Sequence, residues 1–192
     1  MVYSKSSKQK DWVVNPDIKK LIRKKFDPIA QHDSHEFMVY LMEQLQDEQT
    51  VKGSVFEGSN PKLSVGEICT QFDSVRRSII DKLFAGIQQT TVVCGKCGYR
   101  SLTYNPFMTI SLQYKDSLIS AIEDSLSEVR VDGNYKCDKC RKESKAKVSH
   151  EFVRLPKYLI FHVKRFNSMF TKITQGMDYP ARLNLSRFQE KS

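Results

Sequence analysis

An α+β fold is predicted by three features of the sequence. Helical periodicity dominates the first part of the chain, runs of β-branched and aromatic residues dominate the rest, and a single amphipathic helix is inserted among those runs. Two Cys-x-x-Cys pairs, Cys94-Gly-Lys-Cys97 and Cys137-Asp-Lys-Cys140, stand within the strand-like part.

Residues 1–30 are basic, and Ile18, Leu21, Ile22 and Phe26 give IKKLIRKKF a short helical period that Pro28 is expected to end. The strongest helix is expected over 31–48, QHDSHEFMVYLMEQLQDE. Phe37, Leu41 and Leu45 recur there at i, i+4 and i+8 with Met38 and Met42 beside them. Asp33 and Glu36 have the N-cap to N3 spacing of a capping box at its start. Gly53, Gly58, Pro61 and Gly66 make residues 49–70 read as a surface loop.

The apolar segment SIIDKLFAG leads into QQTTVVCGKCGYRSLTYNPFMTISL, whose Thr, Val, Tyr and Phe predict a strand, a turn and a returning strand around the first cysteine pair. Residues 117–129, SLISAIEDSLSEV, are amphipathic through Leu118, Ala121, Ile122 and Leu126 and predict the inserted helix. DGNY before the second pair reads as a turn. AKVSHEFVRL and KYLIFHVKRF then read as two strands broken at Pro156, and YPARLNLSRF as one more extended piece.

Each cysteine pair leaves two residues between its sulfurs, which lets both point at one tetrahedral metal. Two such pairs supply the four thiolates of a closed structural zinc site with Zn–S bonds of about 2.3 Å. Gly98 follows the first pair, where such a turn needs positive φ. Lys96 and Lys139 place positive charge beside the thiols. The alternatives are two disulfides or four unconnected thiols. Paired C-x-x-C motifs without the apolar core of a signal peptide in MVYSKSSKQKDWVV favour metal and a reducing compartment. The 39 residues between the pairs (98–136) exceed a compact ribbon, so the pairs are expected at the tips of two separate β-excursions that the metal pins together. A four-thiolate site has no open coordination position and is expected to be structural.

The chain has 192 residues, a formal charge of +9 and 40% hydrophobic residues, with no apolar run of about 20 residues that could span a membrane. The basic residues, densest in SKSSKQK and KKLIRKKF, are spread along the chain. They permit nucleic-acid contact without forming a stripe interleaved with stacking aromatics. Tyr99, Tyr104 and Phe107 read as sheet packing.

Three blocks in order carry a family resemblance: QHDSHEF opening a helix, the paired C-x-x-C site, and LPKYLIFHVKRF followed by YPARLNLSRF. Together they resemble the catalytic domain of ubiquitin-specific proteases over roughly residues 27–189. The resemblance implies part of a right-hand, papain-like cysteine protease fold: a thumb over 27–70, zinc-tipped β fingers over 84–145 and a palm over 146–189, preceded by a basic segment 1–26. It implies a structural Zn2+ held by Cys94, Cys97, Cys137 and Cys140. It also implies ubiquitin or ubiquitinated proteins as partners, an intracellular setting in cytoplasm or nucleus, and the thumb carboxylates Asp33 and Glu36 as candidate contacts to basic residues near the ubiquitin tail.

The family's nucleophile lies in a G-N-T-C-Y type block before the thumb helix and its base in a Gly-His-Tyr block after the palm. Neither occurs in these 192 residues. Cys69, in GEICTQF, reads as a core filler. His35 and His162 match the family's thumb and strand histidines, neither of them the base. No catalytic residue is carried over, and the chain is expected to be inactive alone, with a partner completing the palm. Two other readings remain: a catalytically dead ubiquitin-binding zinc protein, and, more distantly, a zinc-ribbon nucleic-acid binder.

Overall fold

In a computed structural model the described residues are 15–49, 56, 58–59 and 63–189. The chain divides into two units, residues 1–43 and 44–192. In the first, helix α1 (Pro16–Arg23) starts with Asn15 accepting the Asp17 N–H at 2.8 Å and with proline at its first position. It ends before Pro28 is reached. The Lys24 and Phe26 N–H groups turn back to Leu21 and Ile22 carbonyls, and this brings Phe26 inward. Phe26 is 5% exposed and meets His32, Phe37 and Tyr40 edge-on at 5.1–5.6 Å. Tyr40 Oη donates to the Leu21 carbonyl.

Helix α2 (Ser34–Asp47) is the helix expected over 31–48. Asp33 caps it, Oδ1 accepting from His35 N–H at 2.7 Å and Glu36 N–H at 3.4 Å. The Glu36 carboxylate lies 3.3 Å from Lys25 Nζ.

The loop expected over 49–70 is corrected at its C-terminal end. Residues 50–55, 57 and 60–62 lie outside the described ones, but helix α3 (Val65–Val75) begins within the range. Ser64 and Glu67 cap each other reciprocally: Glu67 Oε2 takes the Ser64 N–H and hydroxyl, and Ser64 Oγ takes the Glu67 N–H. Ile68 and Phe72, one turn apart, are buried. Gly66 reads as a breaker, yet it sits in the first turn with open space around it. SIIDKLFAG contains a further short helix, α4 (Ile79–Phe84), with a second reciprocal box between Ser78 and Asp81.

The strands follow: β1 (Gly86–Cys94), β2 (Arg100–Phe107) and β3 (Thr109–Gln113), then helix α5 (Leu118–Leu126), then β4 (Val129–Lys136), β5 (Glu143–Arg154) and β6 (Ile160–Lys164). Four strands form an antiparallel sheet ordered β2-β1-β5-β4, and β3 pairs in parallel with β6. The returning strand after the first cysteine pair is therefore two strands. It breaks at Met108, and its second half leaves the first sheet. Pro106 lies in β2, an edge strand, where a sheet tolerates proline.

DGNY is extended within β4 and does not form the expected turn. The β4–β5 register shifts between Val131 and Tyr135, so the turn-forming residues are absorbed as an irregularity inside the strand. YPARLNLSRF forms no strand either. It ends in a 3₁₀ turn (Ser186–Phe188), before which Asn184 Oδ1 accepts from the Ser186 N–H and hydroxyl, and Leu183, Leu185 and Phe188 pack on the core.

The larger core joins Ile110 and Leu112 of β3, Ala121, Ile122 and Leu126 of α5, and Phe152 of β5. A second cluster sets Ile68 and Phe72 of α3 against Ala85, Ile87 and Tyr104, with half-buried Cys69 at its side as the expected filler. Tyr104 is 5% exposed and the Phe107 ring packs on Phe152 at 5.7 Å, so both aromatics serve the core.

Across the sheet, His150 Nδ1 lies 3.1 Å from Thr90 Oγ1, which also accepts from Asn105 Nδ2. Burial pulls the His150 pKa below its ordinary 6.5. The neutral ring is favoured in the fold, so its contribution is complete above 6.5 and is lost as pH falls below that value. Between about pH 7.5 and about pH 5, chemical denaturation of wild type should lose more stability than that of His150→Gln. Parallel losses would contradict it.

Candidate metal centre

The two cysteine pairs occupy the turns of two hairpins, β1–β2 and β4–β5, and the turns are built alike. In the first, the Cys94 N–H donates to the Tyr99 carbonyl at 2.9 Å and the Gly98 N–H to the Cys94 carbonyl at 3.0 Å. In the second, the Cys137 N–H donates to Lys142 O at 3.1 Å and the Arg141 N–H to Cys137 O at 2.8 Å. The residue after each pair has positive φ: Gly98 at 66°, as the sequence suggests, and Arg141 at 57°. One loop geometry, used twice, turns both sulfurs of each pair inward.

The hairpins are also neighbours, because β1 and β5 pair from Ile87 to Cys94. The excursions are joined by a strand ladder as well as by whatever the sulfurs hold. Gly95 extends that junction, its N–H donating to Lys145 O at 2.9 Å. A Cβ on Gly95 would lie 2.7 Å from that oxygen, closer than real contacts allow. Gly95→Ala should therefore destabilise the chain by about 1–3 kcal/mol and loosen the tips, read by urea unfolding; a loss below about 0.5 kcal/mol would contradict it.

All four sulfurs lie within 4.8 Å of one another, and Cys97 Sγ is 3.6 Å from Cys137 Sγ. A disulfide needs about 2.05 Å. Two thiolates on one tetrahedral ion at about 2.3 Å each would stand about 3.8 Å apart. The spacing is that of ligands. Cys94 and Cys137 are buried, Cys140 is intermediate and Cys97 is exposed.

Electrostatics point the same way. The Ser144 hydroxyl, 3.3 Å from Cys94 Sγ, and the Cys97 and Lys96 backbone N–H groups bring the Cys94 pKa down to about 6, against burial. The lysine charge expected to do this is not among the causes. For Cys97, the Tyr99 backbone N–H pulls the value down. Burial and the sulfurs of Cys137, Cys94 and Cys140 outweigh it and push the thiol up to about 11. The Cys94 thiolate forms readily, while that of Cys97 is resisted by burial and by the sulfurs around it, a resistance that a bound cation would offset. These four residues can hold a metal ion, and a bound ion would crosslink the two hairpins with no open position for chemistry.

Sequence reasoning did not find three residues around this centre. Tyr99 lies under Lys139 Nζ at 5.9 Å and so links the first turn to the second. Ser144 reaches Cys94. Tyr135, two residues before Cys137, has a buried hydroxyl with no hydrogen-bond partner among the described residues. Its phenol is held up by burial and by the neighbouring Cys137, Asp138, Cys94 and Tyr99. Only the β4–β5 register brings Ser144 and Tyr135 to the site, and spacing alone does not show it. Of the other expected residues, Asp33 and Glu36 lie at the start of α2, and His162 lies in β6 with Nδ1 3.3 Å from Ser111 Oγ.

The sequence profile of the ubiquitin carboxyl-terminal hydrolase family matches residues 2–192. Ubiquitin carboxyl-terminal hydrolase 23 of Arabidopsis thaliana is 28% identical over 173 residues, covering 87% of this chain and 19% of that protein. Ubiquitin carboxyl-terminal hydrolase 36 of Drosophila virilis is 28% identical over 167 residues, covering 84% of this chain and 13% of that protein. The chain thus spans less than a fifth of these relatives' length. Among solved structures, a chain of the SAGA DUB module Ubp8/Sgf11/Sus1/Sgf73 bound to monoubiquitin superposes with a TM-score of 0.63 at 22% identity, over 84% of this chain and 34% of that one. A second structure of the module gives a TM-score of 0.66 at 20% identity, over 88% of this chain and 37% of that one. These likenesses establish a shared α+β fold. No described helix is long and apolar enough to cross a membrane. With the family profile matching residues 2–192 and paired cysteine turns at the tips of adjoining hairpins, this chain belongs to the ubiquitin carboxyl-terminal hydrolase family.

Proposed function

We propose that this polypeptide is the ubiquitin-holding part of a deubiquitinating protease domain, with thumb over 27–70, fingers over 84–145 and palm over 146–189. The observation that carries the reading is the four-cysteine centre at the tips of a paired β1–β5 sheet, in a chain matched by the family profile over residues 2–192. The ion is Zn2+, held by Cys94, Cys97, Cys137 and Cys140, which requires reduced thiols and so a compartment such as cytoplasm or nucleus. Its role is to hold the fingers in shape.

The complete family domain hydrolyses the bond after the ubiquitin C-terminus through a thioester, using a cysteine activated by a histidine. These 192 residues hold neither block, and the one cysteine outside the metal set, Cys69, packs beside the α3 core. The chain alone therefore binds and does not cleave. The related structures that contain ubiquitin and further subunits support both a ubiquitin partner and a partner that completes the hand. Asp33 and Glu36 stand at the exposed start of α2. Asp33 is committed to capping, while the Glu36 carboxylate, 53% exposed beside Lys25, remains within reach of a basic tail.

Calorimetric titration of ubiquitin into the zinc-loaded chain tests this. Binding should appear, fall about tenfold in Glu36→Gln, and disappear when a chelator strips the metal. Equal binding with and without zinc would contradict the role of the centre. Unchanged binding in Glu36→Gln would remove that carboxylate from the contact.

A further inference from the structure

The register of the two finger hairpins sets positive charge against positive charge. Arg130 of β4 stands opposite Lys147 of β5, Lys147 opposite Val93 of β1, and Val93 opposite Arg100 of β2. Strand partners share a face, so Arg130, Lys147 and Arg100 form one row across the sheet. Like charges directly opposed cost stability. Lys147 is relieved by Glu128 at 2.7 Å, and Lys145 by Asp132 at 3.0 Å. Arg130 and Arg100 are exposed and have no acidic partner among the described residues.

The tips continue the charge. Lys96 and Lys139 hold the same place in the two matching turns, and the β1–β5 ladder sets those turns side by side. Arg141 is exposed and has a φ of 57° at the position that glycine takes in the first turn. A side chain in that region strains the backbone, a cost that points to a use for the guanidinium. In residues 95–100 and 136–143, six basic residues stand against two acidic ones, and one of those two, Glu143, is opposite Lys136. The sequence scatters these cations; the register collects them.

The chemistry of the surface narrows its ligand. A folded protein partner is held mainly by buried aromatic or apolar anchors, and the two turns carry no aliphatic side chain. The exposed Val129 and Val131 alternate with Arg130 and leave the other face. Single strands are held by bases stacked on rings, but Tyr99, the one ring in these turns, lies under Lys139 Nζ at 5.9 Å. Unpaired cations without an anchor or a free ring suit regularly spaced phosphates. We propose that the Arg130–Lys147–Arg100 row and the two tips form a docking surface for double-stranded nucleic acid, bound through its phosphate backbone without reading sequence.

Fluorescence anisotropy of a labelled DNA duplex of about 20 base pairs, titrated with the whole zinc-loaded chain, tests this. Binding should appear at about 50 mM salt and weaken about a hundredfold by about 200 mM, a slope of about −4 in log K against log salt. Arg141→Gly, compared at equal metal content, should bind about fivefold more weakly and flatten the slope by about one. Its melting temperature should hold or rise, because glycine suits that φ. Lys96→Gln combined with Lys139→Gln should flatten the slope by about two. Lys157→Gln removes an exposed charge beyond the far end of β5 and should bind as wild type does. If it weakens binding as much as Arg141→Gly, net charge and not this surface holds the duplex, and the proposal is wrong. Absence of binding at low salt, or a slope shallower than about −1, would overturn it too. A single strand of the same length that binds more tightly than the duplex would overturn the duplex assignment. Polyglutamate that binds more tightly than either would make the ligand an acidic polypeptide instead.

Discussion

Cys137→Ser should lose the metal and unfold the finger tips while the helical signal from α2 persists. Cys137 is fully buried at the turn of the second hairpin, and its serine replacement binds zinc poorly and leaves a hydroxyl in a site shaped for sulfur. Four-thiolate zinc contributes on the order of 10–16 kcal/mol to ordering small modules, against about 5–15 kcal/mol of net stability for a whole domain. The β1–β5 ladder limits the damage. Its far end is anchored by Ile87 and Phe152, both fully buried in the two core clusters, and does not depend on the sulfurs. Loss should therefore be graded. Amides that hold the turns, Gly98 and Arg141, should exchange fastest, and those near Ile87 and Phe152 slowest. The melting temperature should fall by at least about 10 °C. Unchanged metal content and circular dichroism in this variant would contradict the structural role of the centre.

Asp81→Ala should be the most damaging change away from the metal. The Asp81 side chain is 2% exposed, yet each oxygen is engaged. Oδ1 accepts from Gln46 Nε2 at 2.7 Å and from Arg76 at 3.3 Å, while Oδ2 accepts from the Ser78 N–H and hydroxyl. One carboxylate thus caps α4, neutralises the half-buried Arg76 and holds Gln46. Truncation leaves a guanidinium and several donors unpaired in a dry place. Breaking a buried charge pair in this way costs about 3–5 kcal/mol. Urea unfolding of Asp81→Ala should show that loss. Asp81→Asn, which keeps one acceptor but not the charge, should lie between it and wild type. A loss below about 1 kcal/mol for Asp81→Ala would mean that the network is not worth what its burial implies.

The metal centre was legible in the sequence because its chemistry is local. A two-residue gap puts two sulfurs on one turn, and Gly98 marks where that turn needs positive φ. The α2 helix was legible for the same reason, since its apolar period and its Asp33 cap are both read within one stretch. What escaped depends on partners far along the chain. α3 hid behind Gly66, although Ser64-x-x-Glu67 is a capping box and Ile68 with Phe72 already gives an apolar turn. Those signals outweigh one glycine in the first turn. DGNY resembles a turn, but the pairing of Val131 with Ala146 and of Tyr135 with Ser144 on either side keeps it extended. β3 could not be told from a continuation of β2, because only its parallel partner β6 separates them. Tyr135 and Ser144 belong to the same class: residues nine apart that meet through strand register.

This chain is expected to hold ubiquitin and to perform no chemistry on it. NMR titration of the zinc-loaded chain into isotope-labelled ubiquitin carrying a short C-terminal peptide extension tests it most directly. Shifts are expected on both the body and the tail of ubiquitin, with the extension intact after prolonged incubation. Loss of the extension would contradict it and make Cys69 the first residue to replace. An unshifted ubiquitin spectrum would contradict it as well, by showing that the fingers and α2 do not hold ubiquitin.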